Sequence, residues 1–180
     1  MFEQDRYTTT AVVLHWVMAA LLLALLGLGL YMKDLPLSPD KLRLYSWHKW
    51  AGIAALLLLF IRAFWRLGHR PPPHSRGMQP LQRRLVAVVH GLLYLLMFVI
   101  PLTGWAMSSA KGFPVVWFGV LPLPDLVDKN KELGDLLAQV HGGLNMLLIG
   151  LVVLHVLAAL KHHLLDRDQV MARMLPFLKR

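Results

Sequence analysis

Four runs of apolar residues, at about 11–32, 47–65, 85–107 and 141–163, limit what this 180-residue chain can become. Each is long enough to cross a hydrocarbon core of about 30 Å. In that medium backbone N–H and C=O groups must bond within their own segment, so each run is predicted to be a helix. Composition agrees: 57% of residues are hydrophobic, 16% are charged, and the mean hydropathy is +0.53. Four spans with short connections use the whole length, which leaves no room for a separate soluble catalytic domain. The expectation is one transmembrane domain over 1–180, an all-α integral membrane four-helix bundle. The first run is too long for a signal-peptide core and lacks a small-residue cleavage pattern, so it is expected to be retained.

The connections set the orientation. The first, 33–46, carries Pro36 and Pro39, and the second, 66–84, carries Pro71, Pro72 and Pro73, which cannot continue a helix. The third, 108–140, is the longest; it is expected to fold back on the membrane surface, with a short helix near 129–138. Nineteen Lys and Arg stand against ten Asp and Glu. Twelve of the nineteen lie at the N-terminus, around the second connection and in the C-terminal tail. Short loops rich in Lys and Arg stay cytoplasmic, so both termini are predicted to be cytoplasmic, with the first and third connections outside. Trp16, Trp47, Trp50, Trp65 and Trp105 fall near span ends, where an aromatic belt sits. Basic charge in so apolar a chain points to an anionic lipid surface, and nucleic-acid binding is discounted.

With no cysteine, disulfides and thiolate-held metals are excluded. Five of nine histidines, His15, His48, His90, His141 and His155, fall in or at the edges of spans. Ionisable groups at membrane depth are costly and pair with something or serve a function. No span contains an Asp or Glu to be that partner. The remaining pairing is His with His, and two neutral imidazoles are what a bis-His haem iron requires. His141 and His155 are fourteen residues apart, about 40° short of four helical turns and about 21 Å along the axis. They share a face, one near each side of the bilayer, so one helix can serve two stacked haems. Depth pairs His48 with His141 at the outer level. At the inner level, His15 and His90 compete to pair with His155. Gly52, Gly91, Gly142 and Gly143 flank these positions and give backbone clearance.

Leu14-His15-Trp16, Trp47-His48-Lys49, Gly104-Trp105, Val140-His141-Gly142, Leu154-His155 and the pair His162-His163 together give the chain a second kind of signal. From about Tyr7 to Pro176 it resembles the bacterial cytochrome b561 family, including the proline-rich second connection and the Met174-Leu175-Pro176 ending. The resemblance implies a di-haem b cytochrome of the inner membrane, with axial pairs His15–His155 and His48–His141. It also implies electron exchange with ubiquinone, and superoxide as an outer-side donor in one type. On that basis superoxide is expected to be steered by Lys33, Lys49, Lys111, Lys129 and Lys131. His162 is the candidate for hydrogen bonding the quinone, the alternative being that Lys161, His162 and His163 anchor the helix in the headgroups.

Other residues read more plainly. His69 and His74 are expected to be solvated, and Arg62, Arg66 and Arg70 to bind lipid headgroups rather than haem propionates. Tyr94 and Asn145 are expected to bond between helices. The nine methionines are packing. Two other classes of function fit the same spans: a haem-b anchor subunit passing electrons from a dehydrogenase or hydrogenase partner to quinone, and a colourless transporter or structural bundle. A redox partner protein or a homodimer is compatible with all of these.

Overall fold

The computed structural model describes residues 6–69, 71–73, 78–166 and 168–175. Arg70 and His74 lie outside them. The four apolar runs become helices α1 (Thr9–Lys33), α2 (Pro39–Gly68), α3 (Pro80–Ala110) and α4 (Lys131–Leu164). Each has a window hydrophobic enough to cross a membrane. Their starts are written in capping chemistry. Thr8, Ser38 and Asn130 accept from the backbone N–H three residues on, at Ala11, Lys41 and Leu133, and Gln79 and Gln82 form a reciprocal capping box on α3. Pro39 and Pro80 sit at first helical positions, where no N–H is needed.

Helices α2 and α4 extend well beyond the predicted spans. α2 begins at Pro39, so the first connection shrinks to 34–38. The short helix expected near 129–138 is instead the first turns of α4, because no proline interrupts the chain between Lys131 and Leu164. The helices alternate in direction, and α1 packs on α2, α2 on α3 and α3 on α4. Two apolar clusters hold the middle of the bundle. One joins Met18 and Leu22 of α1 to Leu56 and Leu59 of α2 and Met97 of α3. The other joins Leu96 and Ile100 of α3 to Leu144, Leu148 and Leu151 of α4. Outward faces stay apolar as well, with Val13, Leu23, Phe64, Leu95 and Val153 all more than half exposed. A helix hydrophobic on every side suits lipid rather than water.

The third connection folds back over the ends of α2 and α3. It contains a minimal antiparallel hairpin, β1 (Val116–Trp117) with β2 (Leu121–Pro122). Its turn puts Phe118 and Gly119 at φ 51° and 72°, left-handed backbone of the kind that tight hairpins use. Trp50 Nε1 donates to the Val116 carbonyl (2.6 Å), and Trp117 Nε1 donates to the Trp50 carbonyl (3.1 Å). Trp105 Nε1 donates to the Pro124 carbonyl (3.1 Å). At the opposite end Trp16 Nε1 reaches the Met174 carbonyl (2.8 Å), drawing residues 168–175 back across α1. Asn130→Ala, which removes the α4 cap, is expected to lower stability by about 1 kcal/mol. Thermal unfolding in detergent reads this as a lower Tm.

Candidate functional site

The bundle repeats one interval on every helix. Fourteen residues separate His15 from Gly29 on α1, His48 from Arg62 on α2, His90 from Gly104 on α3, and His141 from His155 on α4. This is close to four whole turns, so each helix shows the same inward face at two levels about 21 Å apart. One level, at the end holding the third connection, contains Gly29, His48, Gly104 and His141. The other, at the end holding both termini, contains His15, Arg62, His90 and His155. The two apolar clusters fill the space between.

At the loop end the glycines make room for the rings. A Cβ on Gly104 would stand 3.0 Å from His141 Cε1, and one on Gly29 would stand 3.2 Å from His48 Cε1. His141 Nδ1 lies 3.1 Å from both the Ile100 carbonyl and Thr103 Oγ1, and that hydroxyl donates to Ile100 at 2.8 Å. A carbonyl only accepts, so Nδ1 carries the proton and the Nε2 lone pair is left for a metal. His48 Nδ1 is buried without a hydrogen-bond partner among the described residues. An orphaned ring nitrogen at membrane depth is costly, and coordination is one way to satisfy such an imidazole.

At the termini end His15 and His155 face each other with ring centres 6.2 Å apart. Two imidazoles sharing one metal, with bonds of about 2 Å on each side, keep their centres about 6 Å apart. His90 stands edge-on to His155 at 5.2 Å, too close for a metal between them, and its Nδ1 donates to the Val86 carbonyl (2.8 Å). Arg62 turns into the bundle. Nε donates to Tyr94 Oη (3.0 Å), Nη1 to the Ala11 carbonyl (3.4 Å) and Nη2 to His15 Nδ1 (3.3 Å). Arg66 lies over the Tyr94 ring at 5.6 Å. The expectation that Arg62 binds lipid headgroups is therefore corrected: its guanidinium is spent inside, against a histidine and a tyrosine. A cavity beside it, lined by Arg62, Trp65, Arg66, His69 and Tyr94, holds only about 30 Å³, room for a water and not for a quinone ring.

His162 ends the same stripe of α4 as His141, Leu148 and His155, spaced by seven residues. Its Nδ1 lies 2.8 Å from Asp168 Oδ2 and 3.2 Å from Asp166 Oδ2. Lys161 donates to both Asp166 oxygens, at 2.9 and 2.6 Å, and holds that carboxyl below the usual carboxylate range. His162, Asp166 and Asp168 are close enough to share a cation. The ammonium already on Asp166 makes the group an ion-pair network instead.

Tyr94 bonds across helices as expected; among the described residues Asn145 instead donates from Nδ2 to the His141 carbonyl one turn back (2.7 Å). His69 is exposed, as expected, and stacks on Trp65 with centres 4.0 Å apart. Among the cations expected to steer an anion, Lys33 pairs with Asp34, and Lys111 and Lys131 pair with Asp135. Lys49 donates to neutral groups, Ser108 Oγ and the Phe113 and Pro114 carbonyls, each at 3.3 Å, so its charge is uncancelled beside His48. Sequence reasoning missed Gly29, Arg62 as an inward group, Thr103 and Asp168. The interval of fourteen, applied to His48 and His90 as it was to His141, would have found Arg62 and pointed at Gly104.

The model of the family described as prokaryotic cytochrome b561 matches residues 6–177. The chain belongs to the prokaryotic cytochrome b561 family. It is 31% identical over 172 residues to cytochrome b561 homolog 2 of Escherichia coli (strain K12), covering 95% of this chain and 92% of that one. It is 33% identical over 129 residues to the probable superoxide oxidase CybB of Yersinia pestis, covering 72% and 73%. Cytochrome b561 homolog 1 of Escherichia coli (strain K12) is 28% identical over 178 residues, covering 96% and 98%. As a cytochrome b561, this is a bacterial membrane electron-transfer protein of the type that binds b-type haem. The residues fit such a group: neutral nitrogen donors at two depths, one of them orphaned, with glycine clearance beside them. Gly104→Val is expected to displace His141 and lower the haem retained per polypeptide. Gly27→Val, at a position where a Cβ meets nothing within 4 Å, should leave it unchanged; pyridine haemochrome assay of both variants checks this.

Proposed function

We propose that this cytochrome b561 is a superoxide:ubiquinone oxidoreductase spanning the bacterial inner membrane as one domain, with both termini cytoplasmic. Two haems b would be held there, one by His48 and His141 at the loop end, the other by His15 and His155 at the termini end. The observation that carries the inner assignment is the 6.2 Å between the His15 and His155 rings, against 5.2 Å for His90 and His155. When bound, the haems supply one-electron chemistry at both membrane faces. The similarity to the Yersinia relative, named a probable superoxide oxidase, favours superoxide as donor.

The chain's own groups divide the remaining work. Ile100 and Thr103 fix the tautomer and ring plane of His141, and such outer partners also tune the ligand. Gly29 and Gly104 admit the rings, which larger side chains would displace. With Nε2 of His15 committed to iron, Nδ1 carries the proton and cannot accept from Arg62. The guanidinium, still held by Tyr94 and Ala11, is then available to a propionate carboxylate. Lys49, whose described partners are all neutral, supplies local attraction for an anionic donor beside His48.

Purified protein given a superoxide-generating system should reduce a short-chain ubiquinone and consume superoxide. No reduction under these conditions, with haem present, overturns the superoxide reading, and co-purification with an iron-sulfur subunit would favour the anchor role. His15→Ala, His48→Ala, His141→Ala and His155→Ala should each lose haem, while His90→Ala keeps the full complement. Haem lost from His90→Ala and kept in His15→Ala would overturn the inner pair. For orientation, a C-terminal fluorescent-protein fusion should fluoresce and an alkaline phosphatase fused within 111–130 should be active; the reverse pattern inverts the topology.

A further inference from the structure

One face of α2 carries a stripe that the histidine levels do not use. Asp40, Arg43, Trp47, Trp50, Ala54 and Ile61 recur at intervals of three, four or seven, which keeps them within about 80° of one another around the helix. Because α2 begins at Pro39, ahead of its apolar run, Arg43 and Asp40 stand about 6 and 10 Å beyond Trp47 along the axis, at headgroup depth. The Arg43 guanidinium lies 5.4 Å from the Trp47 ring centre and 3.0 Å from Asp40 Oδ1, and both charged side chains are more than half exposed. Five of the six tryptophans donate Nε1–H to oxygens of the protein, whereas Trp47 makes no such bond among the described residues. On the hydrocarbon side of Trp47 the stripe opens into an apolar groove of about 350 Å³, lined by Trp47, Trp50, Ala51, Ala54 and Phe118. An apolar cavity of about 150 Å³ takes a benzene, so this groove accommodates a longer hydrocarbon segment. The two alanines form its floor, and Phe118 of the hairpin closes one side with its ring centre 5.4 Å from that of Trp50. Exposed Leu57 and Ile61 continue the apolar face deeper into the span.

We propose that this face of α2 binds one phospholipid with a primary-amine headgroup, in the leaflet at the loop end. The order of groups along the helix matches the order of groups along such a lipid. An acyl chain lies in the groove against Ala51, Ala54 and Phe118, where both surfaces are apolar. The Trp47 N–H donates to an ester carbonyl at the edge of the hydrocarbon, the depth at which indole rings settle. Arg43 donates to the phosphate, a charge-assisted bond of the kind its planar fork favours. Asp40, furthest out, accepts from the headgroup ammonium. The exposed Arg43–Asp40 pair is thus complementary to a zwitterion. A headgroup carrying only negative charge would leave Asp40 against a like charge, and a quaternary amine offers it no N–H. Since Phe118 forms one wall, the bound chain also braces the hairpin from the lipid side, where the Trp50 and Trp117 bonds hold it from within.

The test is native mass spectrometry of the purified holoprotein in detergent, given phosphatidylethanolamine, phosphatidylglycerol and phosphatidylcholine of matched chains at equal concentration. The first lipid retained by the wild type is expected to be phosphatidylethanolamine, by about tenfold over the other two, the scale of one hydrogen bond between charged groups. Asp40→Asn should still bind lipid but lose the preference over phosphatidylglycerol. Arg43→Gln should weaken retention of all three, and Arg43→Lys should restore part of it. Ala54→Phe, which fills the groove, should abolish the first binding event. The mass of each variant reports its haem content, which is expected to stay at the wild-type level because none of these side chains faces a histidine level. Equal retention of the three lipids by the wild type would overturn the proposal, as would a preference that survives both Asp40→Asn and Ala54→Phe. A wild-type dimer that Ala54→Phe dissociates would assign the groove to a second copy of the chain and overturn it as well.

Discussion

The bundle depends on placing neutral nitrogen bases in hydrocarbon without any acid to balance them. No Asp or Glu lies between Asp40 and Asp125, so polar groups inside must be satisfied by carbonyls, hydroxyls, one another or a metal. The fourteen-residue interval solves this for all four helices with one geometry. Polar functions gather in two planes, where they can meet across helices, and the intervening Met18, Leu56, Leu96, Ile100 and Leu148 seal the middle. Glycine appears in the same register where a facing ring needs the volume. Histidine and glycine are thus two halves of one packing solution.

The two planes differ in charge. At the loop end, the imidazole His141 gives its Nδ1 proton to a carbonyl, which enriches the ring's electron density. At the termini end His15 meets a guanidinium, which withdraws it. Lys49 beside His48 is tied to neutral groups, whereas Arg62 reaches into the interior between α1 and α3. Charge-assisted contacts of this kind are strong where water is excluded.

Much of this was legible in the sequence, for identifiable reasons. Hydrophobic length alone marks the four helices, since nothing else satisfies a backbone in lipid. The shared face of His141 and His155 follows from helical periodicity. Periodicity does not choose between His15 and His90, because both sit at the same depth; in the sequence only the family resemblance points to His15. Arg62 was misjudged since a four-residue spacing of arginines near a membrane face is the pattern of a lipid-binding stripe. Its inward turn depends on Tyr94, thirty-two positions away. The contact of Asp168 with His162 was not legible because it arises from a turn after α4, where periodicity has ended. The start of α4 was misplaced at first glance because charge, not helix propensity, changes at the membrane surface.

Both ends of the bundle are closed by irregular chain. The hairpin and its reciprocal Trp50–Trp117 bonds cover one end, and residues 168–175, tied to Trp16, cover the other. These covers hold none of the histidines on the fourteen-residue register. Insertions or exchanges within them alter what may approach each face while the conducting interior stays as it is. The bundle is thus modular across its thickness: each surface can vary on its own, because neither cover shares residues with the histidine register between them.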